Sequence, residues 1–187
     1  MIPIYEEGRG RGIGHTAKSF RARFDAICQQ HLLDGRAEAF AFIFYDFLDQ
    51  DLRKLLKDQG VFAQLDRLAG AKLSIFYLHT GGKRAIDSFN KSFLSRLGIQ
   101  EETTLPCVVF FKLKHEEIED IAVAQLDSAS LAHGLHELYG VIERYMSEEL
   151  SDSSPTPNYV QRLKAGAKFI ALETFRTFLK EALAHWM

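Results

Sequence analysis

Apolar residues follow two kinds of pattern along the chain, short continuous runs and periodic faces. The continuous runs predict strands that are buried on both faces, because neither side of such a strand carries polar residues. They cover residues 39–47, 72–79 and 107–113, and a fourth run at 119–126 follows the third after a charged turn. The short spacing between the last two runs predicts an antiparallel hairpin.

Elsewhere the apolar residues recur every three or four positions, which is the spacing of one helical face. Helices are predicted over residues 16–33, 50–69, 85–97 and 128–146. The order from residue 39 is therefore β-α-β-α-β-β-α. It predicts an α/β fold with a mixed central sheet flanked by helices, in which crossovers join a parallel pair and the late hairpin adds antiparallel strands at one side.

Changes in composition divide the chain into four parts. Residues 1–38 form a Gly/Arg-rich arm followed by a helix, and residues 39–150 carry the β/α pattern. Residues 151–158 are rich in Ser and Pro, which predicts a linker. Residues 159–187 predict one long amphipathic helix. Its apolar side consists of Val160, Leu163, Ile170, Phe175, Phe178, Leu179, Leu183 and Trp186.

The apolar side of this C-terminal helix must be covered, because exposed aromatic side chains form an adhesive patch. Two covers remain open at this stage. The helix can pack on its own domain, or it can dock on a second copy or in the groove of another protein. The residues predicted to bind such a partner are Phe175, Phe178, Leu179 and Trp186.

Composition and charge narrow the classes of function. A chain of 187 residues with 47% hydrophobic and 26% charged residues has the balance of a globular protein, and a net charge of −2 does not favour nucleic acid as a partner. No apolar stretch reaches the length of a membrane span, and the first residues do not read as a secretory signal. A cytoplasmic protein without membrane contact is expected.

Residues 39–146 resemble a thioredoxin domain. The resemblance rests on the apolar strand at 39–47, the long helix after it, the second strand at 72–79, and the segment 104–106 that opens the third strand. The proline at this position is cis in that family and faces the active site, so the resemblance implies a cis Pro106 beside a binding groove. The groove residues are Asp46, Asp49, Asp51, Thr104, Leu105 and Pro106.

The paired cysteines of that family are absent. They would fall in residues 46–51, which read Asp-Phe-Leu-Asp-Gln-Asp. Asp49 or Asp51 can cap the following helix by accepting bonds from its unpaired N–H groups, but a carboxylate cannot exchange disulfides. The preferred hypothesis is a redox-inactive thioredoxin-like module, without cofactor or metal, that acts in protein interaction as an adaptor or a chaperone-like subunit.

Three other features carry alternative hypotheses. Cys107 directly follows Pro106 and can be the lone thiol of a redox enzyme such as a peroxidase or a transferase, although its apolar neighbours, like those of Cys28, favour a buried inert thiol. Residues 12–17 match G-x-G-x-x-A before a helix and, with Arg9 and Arg11, can bind a nucleotide or RNA. A solvated arm is favoured.

The third feature is a histidine pair on one helix. His133 and His136 are three residues apart and Glu137 is adjacent. A metal site would need a further ligand from elsewhere in the chain, and a solvent-facing pair is favoured.

Overall fold

The structure of the protein is a computed structural model that describes residues 2–5, 15–34, 39–79, 82–101, 103–114, 116–126, 131–147, 160–161 and 170–184. The strands are β1 Ile2–Tyr5, β2 His15–Thr16, β3 Ala39–Phe44, β4 Leu73–His79, β5 Cys107–Lys114, β6 Glu117–Gln125, β7 Val160–Gln161 and β8 Ile170–Ala171. The helices are α1 Ala17–Asp34, α2 Gln50–Leu55, α3 Gln59–Ala69, α4 Lys83–Leu97, α5 Leu131–Met146 and α6 Leu172–Ala184.

The strands form one open mixed sheet in the order β2-β1-β4-β3-β5-β6-β7, with β8 also paired to β6. Strands β1, β3 and β4 run parallel, and β5 and β6 are antiparallel to their neighbours. The predicted mixed α/β fold and the hairpin at one side of the sheet are therefore confirmed. The Leu105–Pro106 peptide bond is cis, as the resemblance implied.

The single helix predicted over residues 50–69 is wrong, because the chain forms two helices there. Asp58 begins the second helix by accepting hydrogen bonds from the N–H groups of Gly60 at 2.8 Å and Val61 at 3.1 Å. At the break, the Tyr77 hydroxyl donates to the Leu56 carbonyl at 3.0 Å. An aspartate that caps a new helix stops the preceding one, because its side chain competes for the backbone N–H groups.

The long helix predicted over residues 159–187 is also wrong in its first half. Val160–Gln161 and Ile170–Ala171 are strands, and the helix begins at Leu172. Both strands pair with the edge strand β6, whose open backbone groups accept them in antiparallel register. The predicted linker at 151–158 and Trp186 lie outside the described residues.

The N-terminal arm is part of the sheet at both of its described ends. β1 pairs with β4 along four residues, and β2 pairs with β1. Strands of four and two residues are too short for hydrophobic periodicity to reveal. The Gly/Arg-rich segment 6–14 between them lies outside the described residues.

The two faces of the sheet carry different helices. Successive residues of a strand point to opposite faces, so Phe110 and Phe111 mark the two sides. Phe110 stacks on Tyr145 of α5 with ring centroids 4.2 Å apart, whereas Phe111 contacts Phe175 of α6 at 5.1 Å. Helices α2, α3 and α5 pack together on the first face, and α6 packs against α1 and α4 on the second.

The second face is built on phenylalanine. Its rings contact one another in a continuous group, here called the phenylalanine layer, which contains Phe24, Phe40, Phe42, Phe44, Phe76, Phe89, Phe93, Phe111 and Phe175. All of these side chains are 2% exposed or less. The layer draws residues from α1, the sheet, α4 and α6, so the described N-terminal and C-terminal segments share one core with residues 39–146. Among the described residues, no helix has the length and hydropathy that a membrane span requires.

Candidate functional site

The predicted groove residues lie where β3 ends and β5 begins. Phe44 pairs with Cys107, and Cys107 pairs with Gln125, so the segments that follow or precede these residues meet at one end of the sheet. The Pro106 carbonyl accepts a hydrogen bond from Leu126 N–H at 2.8 Å, which fixes the cis turn to β6. We call this region the Pro106 end. It consists of residues 45–49, here called the β3–α2 loop, and of the turn at residues 104–106.

Two of the three predicted aspartates, Asp46 and Asp49, hold the backbone of the loop. Asp46 Oδ1 accepts from Leu48 N–H at 2.7 Å, and the Asp46 carbonyl accepts from Asp49 N–H at 3.1 Å. Asp49 is the N-cap of α2 and accepts from Leu52 N–H at 2.9 Å, which confirms the predicted capping role. Asp51 lies in the first turn and faces Lys54 at 3.7 Å, a solvent-exposed pair. These carboxylates serve the helix start.

Two leucines give the Pro106 end an apolar surface. Leu48 is 70% exposed in the β3–α2 loop, and Leu105 is 37% exposed in the cis turn. Thr104 is exposed and Pro106 half-buried beside them. Among the described residues, the main chain of Leu105 makes no hydrogen bond to another main-chain group at the start of β5.

Buried hydrogen bonds hold Tyr45, the first residue of the β3–α2 loop. Asn90, a buried polar residue of α4, donates from its side-chain amide to the Tyr45 carbonyl at 3.0 Å. The Tyr45 hydroxyl donates to the Leu78 carbonyl of β4. Burial raises the pKa of Tyr45, and the nearby Arg53 guanidinium counteracts this in part. Tyr45 is therefore a neutral donor that ties the end of β3 to β4.

Both cysteines are buried and free. Burial raises the pKa of the Cys107 thiol to about 12, and it raises the pKa of Cys28 to about 12 against the opposing charge of Arg176. The thiolate is the reactive form of cysteine, so neither side chain has the ionisation or the access that a nucleophile requires. The expectation of buried structural thiols is confirmed.

Two of the four residues predicted to bind a partner through the C-terminal helix have another role. Phe175 and Leu179 are each 1% exposed within the protein's own core, so their assignment to a partner-binding face is wrong. Phe175 contacts Phe24, Phe93 and Phe111 at centroid distances of 5.7, 5.6 and 5.1 Å. Phe178 is half-buried, and the Arg96 guanidinium lies 5.5 Å from its ring centroid. The helix covers the phenylalanine layer, and this uses its apolar face.

The histidine pair forms no metal centre with described neighbours. His133 and His136 are exposed on α5, and His133 Nε2 lies 3.4 Å from Glu137 of the same helix. Across the described parts of the chain, no three His, Cys, Asp or Glu side chains are close enough to share an ion. The Gly/Arg-rich hypothesis falls largely on residues 9–14, outside the described residues, and remains a prediction.

Residues that the sequence did not single out complete the surface. Leu48, Phe47 and Arg53 lie in or beside the β3–α2 loop, and none was among the predicted groove residues. A signal was present in the sequence: the apolar pair 47–48 stands between Asp46 and Asp49, at the end of the predicted strand. Loop segments run over the surface, so a residue of such a pair can remain exposed.

Comparisons with models of protein families, with curated proteins and with solved structures find no match for this chain.

Proposed function

We propose that the chain is a redox-inactive, thioredoxin-like module that binds an extended apolar segment of a partner protein at the Pro106 end. The observation that carries the proposal is that Leu48 and Leu105 are both exposed at the end of the sheet where β3 ends and β5 begins. The likeness is supported by the strand order β4-β3-β5-β6, by its parallel and antiparallel pairs, and by the cis bond before Pro106.

The chemistry of the surface favours a peptide as the ligand. The main chain at the beginning of a strand can pair with an extended chain, since main-chain hydrogen bonds supply affinity and side-chain contacts supply selectivity. Leu48 and Leu105 offer the apolar contacts. Burying one leucine side chain contributes about 1.5–3 kcal/mol.

A binding role fits the Pro106 end better than thiol chemistry. Carboxylates occupy the loop where the family carries its cysteines, and they hold backbone N–H groups. Cys107, the cysteine next to this surface, is fully buried with a raised pKa. In a disulfide-reduction assay we expect no turnover that depends on Cys107, and such turnover would contradict the proposal.

The decisive experiment is a titration with a defined peptide. Isotope-labelled protein is titrated with a blocked seven-residue peptide of alternating leucine and serine, and amide shifts are followed by NMR. We expect the largest shifts at the amides of residues 47–49, 104 and 105. The same peptide with N-methyl groups on alternate amides cannot make the main-chain bonds and should bind more weakly.

Matched variants distinguish specific binding at this surface from nonspecific binding to any exposed apolar residue. Leu48→Asp and Leu105→Asp should each lower the affinity about tenfold, because one leucine contact is worth more than the ~1.4 kcal/mol of a tenfold change. The control is Leu33→Asp. Leu33 is 82% exposed near the end of α1, which precedes the opposite end of β3. Equal losses in all three variants, or no loss at Leu48 and Leu105, would reject the proposed site.

A further inference from the structure

Two consecutive apolar residues of the β3–α2 loop have opposite environments. Phe47 is partly buried and packs against the core, whereas Leu48 is 70% exposed. The loop has left the sheet at this point, so strand alternation does not decide which residue faces outward. Another contact must determine which of the two side chains faces solvent.

The side chain of Arg53 makes that contact. Its Nη1–H donates to the Phe47 carbonyl at 3.1 Å, and its guanidinium carbon lies 4.0 Å from the centroid of the Phe47 ring. Arg53 is anchored within α2 through its own N–H, which donates to the Asp49 carbonyl at 3.1 Å. One side chain therefore holds both the backbone and the ring of Phe47 from the helix side.

Two aspartates of the loop act on its backbone. Asp46 accepts from Leu48 N–H and Asp49 N–H, and Asp49 accepts from Leu52 N–H. These bonds set the path of the chain, and the Phe47 ring is held by the stacked guanidinium. A planar guanidinium can stack on a ring while its rim donates to a carbonyl, which the compact ammonium of lysine does less well.

We propose that Arg53 is a positioning residue of the Pro106 end: it retains Phe47 against the core and thereby presents Leu48 as the apolar contact for a bound peptide. The part that concerns peptide binding rests on the proposed function. The part that concerns the loop does not, because it is a statement about which of two side chains faces solvent.

The loop is tested without any ligand. A neutral gadolinium chelate added to the solution relaxes protons in proportion to their exposure, and the Phe47 ring and the Leu48 methyl groups are read by NMR. In Arg53→Met, which keeps the length and helix preference of the side chain, we expect relaxation at the Phe47 ring to rise at least about twofold. Loss of the stacked, hydrogen-bonded cation should shift the held and released populations about tenfold, which corresponds to ~1.4 kcal/mol.

The matched control is Lys54→Met. It removes a positive charge from the next position of the same helix, where Lys54 faces Asp51 at 3.7 Å. We expect unchanged relaxation at Phe47 in this variant and an intermediate value in Arg53→Lys. An unchanged Phe47 in Arg53→Met, or equal changes in Arg53→Met and Lys54→Met, overturns the proposal.

Peptide binding is then measured on the same variants. Arg53→Met should weaken binding of the leucine–serine peptide about fivefold or more, with Lys54→Met unchanged and the unfolding midpoint of both variants close to that of the parent. If Phe47 is released in Arg53→Met but affinity does not change, Arg53 orders the loop and the proposed peptide site is rejected. If Phe47 stays held, the inference about Arg53 fails while the peptide site is judged by the leucine variants alone.

Discussion

The sequence predicts partner binding at two regions, the apolar face of the C-terminal helix and the turn at Pro106. In the structure, the apolar side chains of these two regions differ in their exposure. Leu172, Phe175 and Leu179 of α6 are at most 3% exposed and cover the phenylalanine layer. Leu48 and Leu105 at the Pro106 end remain exposed. The C-terminal helix has the stronger apolar pattern, and its buried residues belong to the protein's own core. The Pro106 end has the weaker pattern, and its leucines lie at the surface.

The difference shows what an amphipathic pattern can and cannot establish. A periodic apolar face states that a helix is covered on one side, and it says nothing about which chain covers it. Here the cover is supplied by α1, α4 and β5, whose phenylalanines enclose Phe175. Leu48 lies in a loop between Asp46 and the N-cap Asp49 and has no such cover, since it is 70% exposed.

The largest expected effect tests the internal role of α6. Phe175→Ala should lower the free energy of unfolding by about 3–5 kcal/mol, because it removes a fully buried ring and leaves a cavity in the layer. The measurement is urea unfolding followed by circular dichroism. The matched control is Phe178→Ala, one turn further along the same helix, where the ring is half-buried. Its loss should be clearly smaller.

Sedimentation of the same variants distinguishes packing of α6 on its own domain from docking of α6 on another chain. If α6 served a partner, Phe175→Ala would leave stability unchanged and would abolish an association that the parent shows. That outcome would reverse the contrast between the two regions.

The second effect uses one thiol in each region. Cys28 lies close to Arg176 of α6, and Cys107 lies at the Pro106 end; both have pKa values raised from 9.0 to about 12. Below pH 9 the thiols are protonated in both folded and unfolded chains. Between pH 9 and pH 12 the unfolded chain loses these protons first, so the protein loses stability as the pH rises. From pH 8 to pH 10 we expect a loss of about 1 kcal/mol per thiol.

The test compares the pH dependence of unfolding in the parent with that in Cys28→Ala and Cys107→Ala. Each variant should remove one thiol's share of the alkaline loss, whatever its stability at pH 8. A Cys107→Ala variant with the full alkaline loss would mean that this thiol ionises readily in the folded state. The lone-thiol hypothesis would then return.

The sequence predicts the central fold because periodicity is strong where burial is continuous. The buried strands and the amphipathic α4 and α5 are found within a few residues of their predicted bounds. The elements that were missed or predicted wrongly have short patterns, or patterns that a second structural preference overrides. β1 and β2 are too short for a period, Asp58 interrupts a helical pattern with a cap, and β7 and β8 arise because the edge of β6 accepts a nearby chain.

The candidate site is predictable in part. Asp49 is identified as a cap from its type and position, and the cis Pro106 follows from the resemblance. Arg53 cannot be identified in this way, because an arginine inside a helix normally extends into solvent. Its contact with Phe47 depends on the path of the loop after β3, which no periodic pattern records.

The third effect concerns the start of α2. Asp49→Ala should cost about 1 kcal/mol of stability, because it removes the N-cap acceptor of Leu52 N–H. Asp51→Ala is the matched control, since it removes a carboxylate two residues later that faces Lys54 at the surface. Its cost should stay below about 0.5 kcal/mol. Equal costs, measured by thermal and urea unfolding, would show that charge rather than capping stabilises the loop.

The smallest effect tests whether surface charge helps to hold α6 in place. Arg96 Nη2 of α4 lies 2.6 Å from Glu181 Oε2, with both side chains about half exposed. Water and salt screen such a pair, so a double-mutant cycle with Arg96→Met and Glu181→Gln should give a coupling of about 0.2–1 kcal/mol that falls in 1 M salt. Because Arg96 also lies over the Phe178 ring, Arg96→Met alone should cost more than Glu181→Gln. A coupling above about 2 kcal/mol would mean that charge, and not the phenylalanine layer, directs α6 to its own domain.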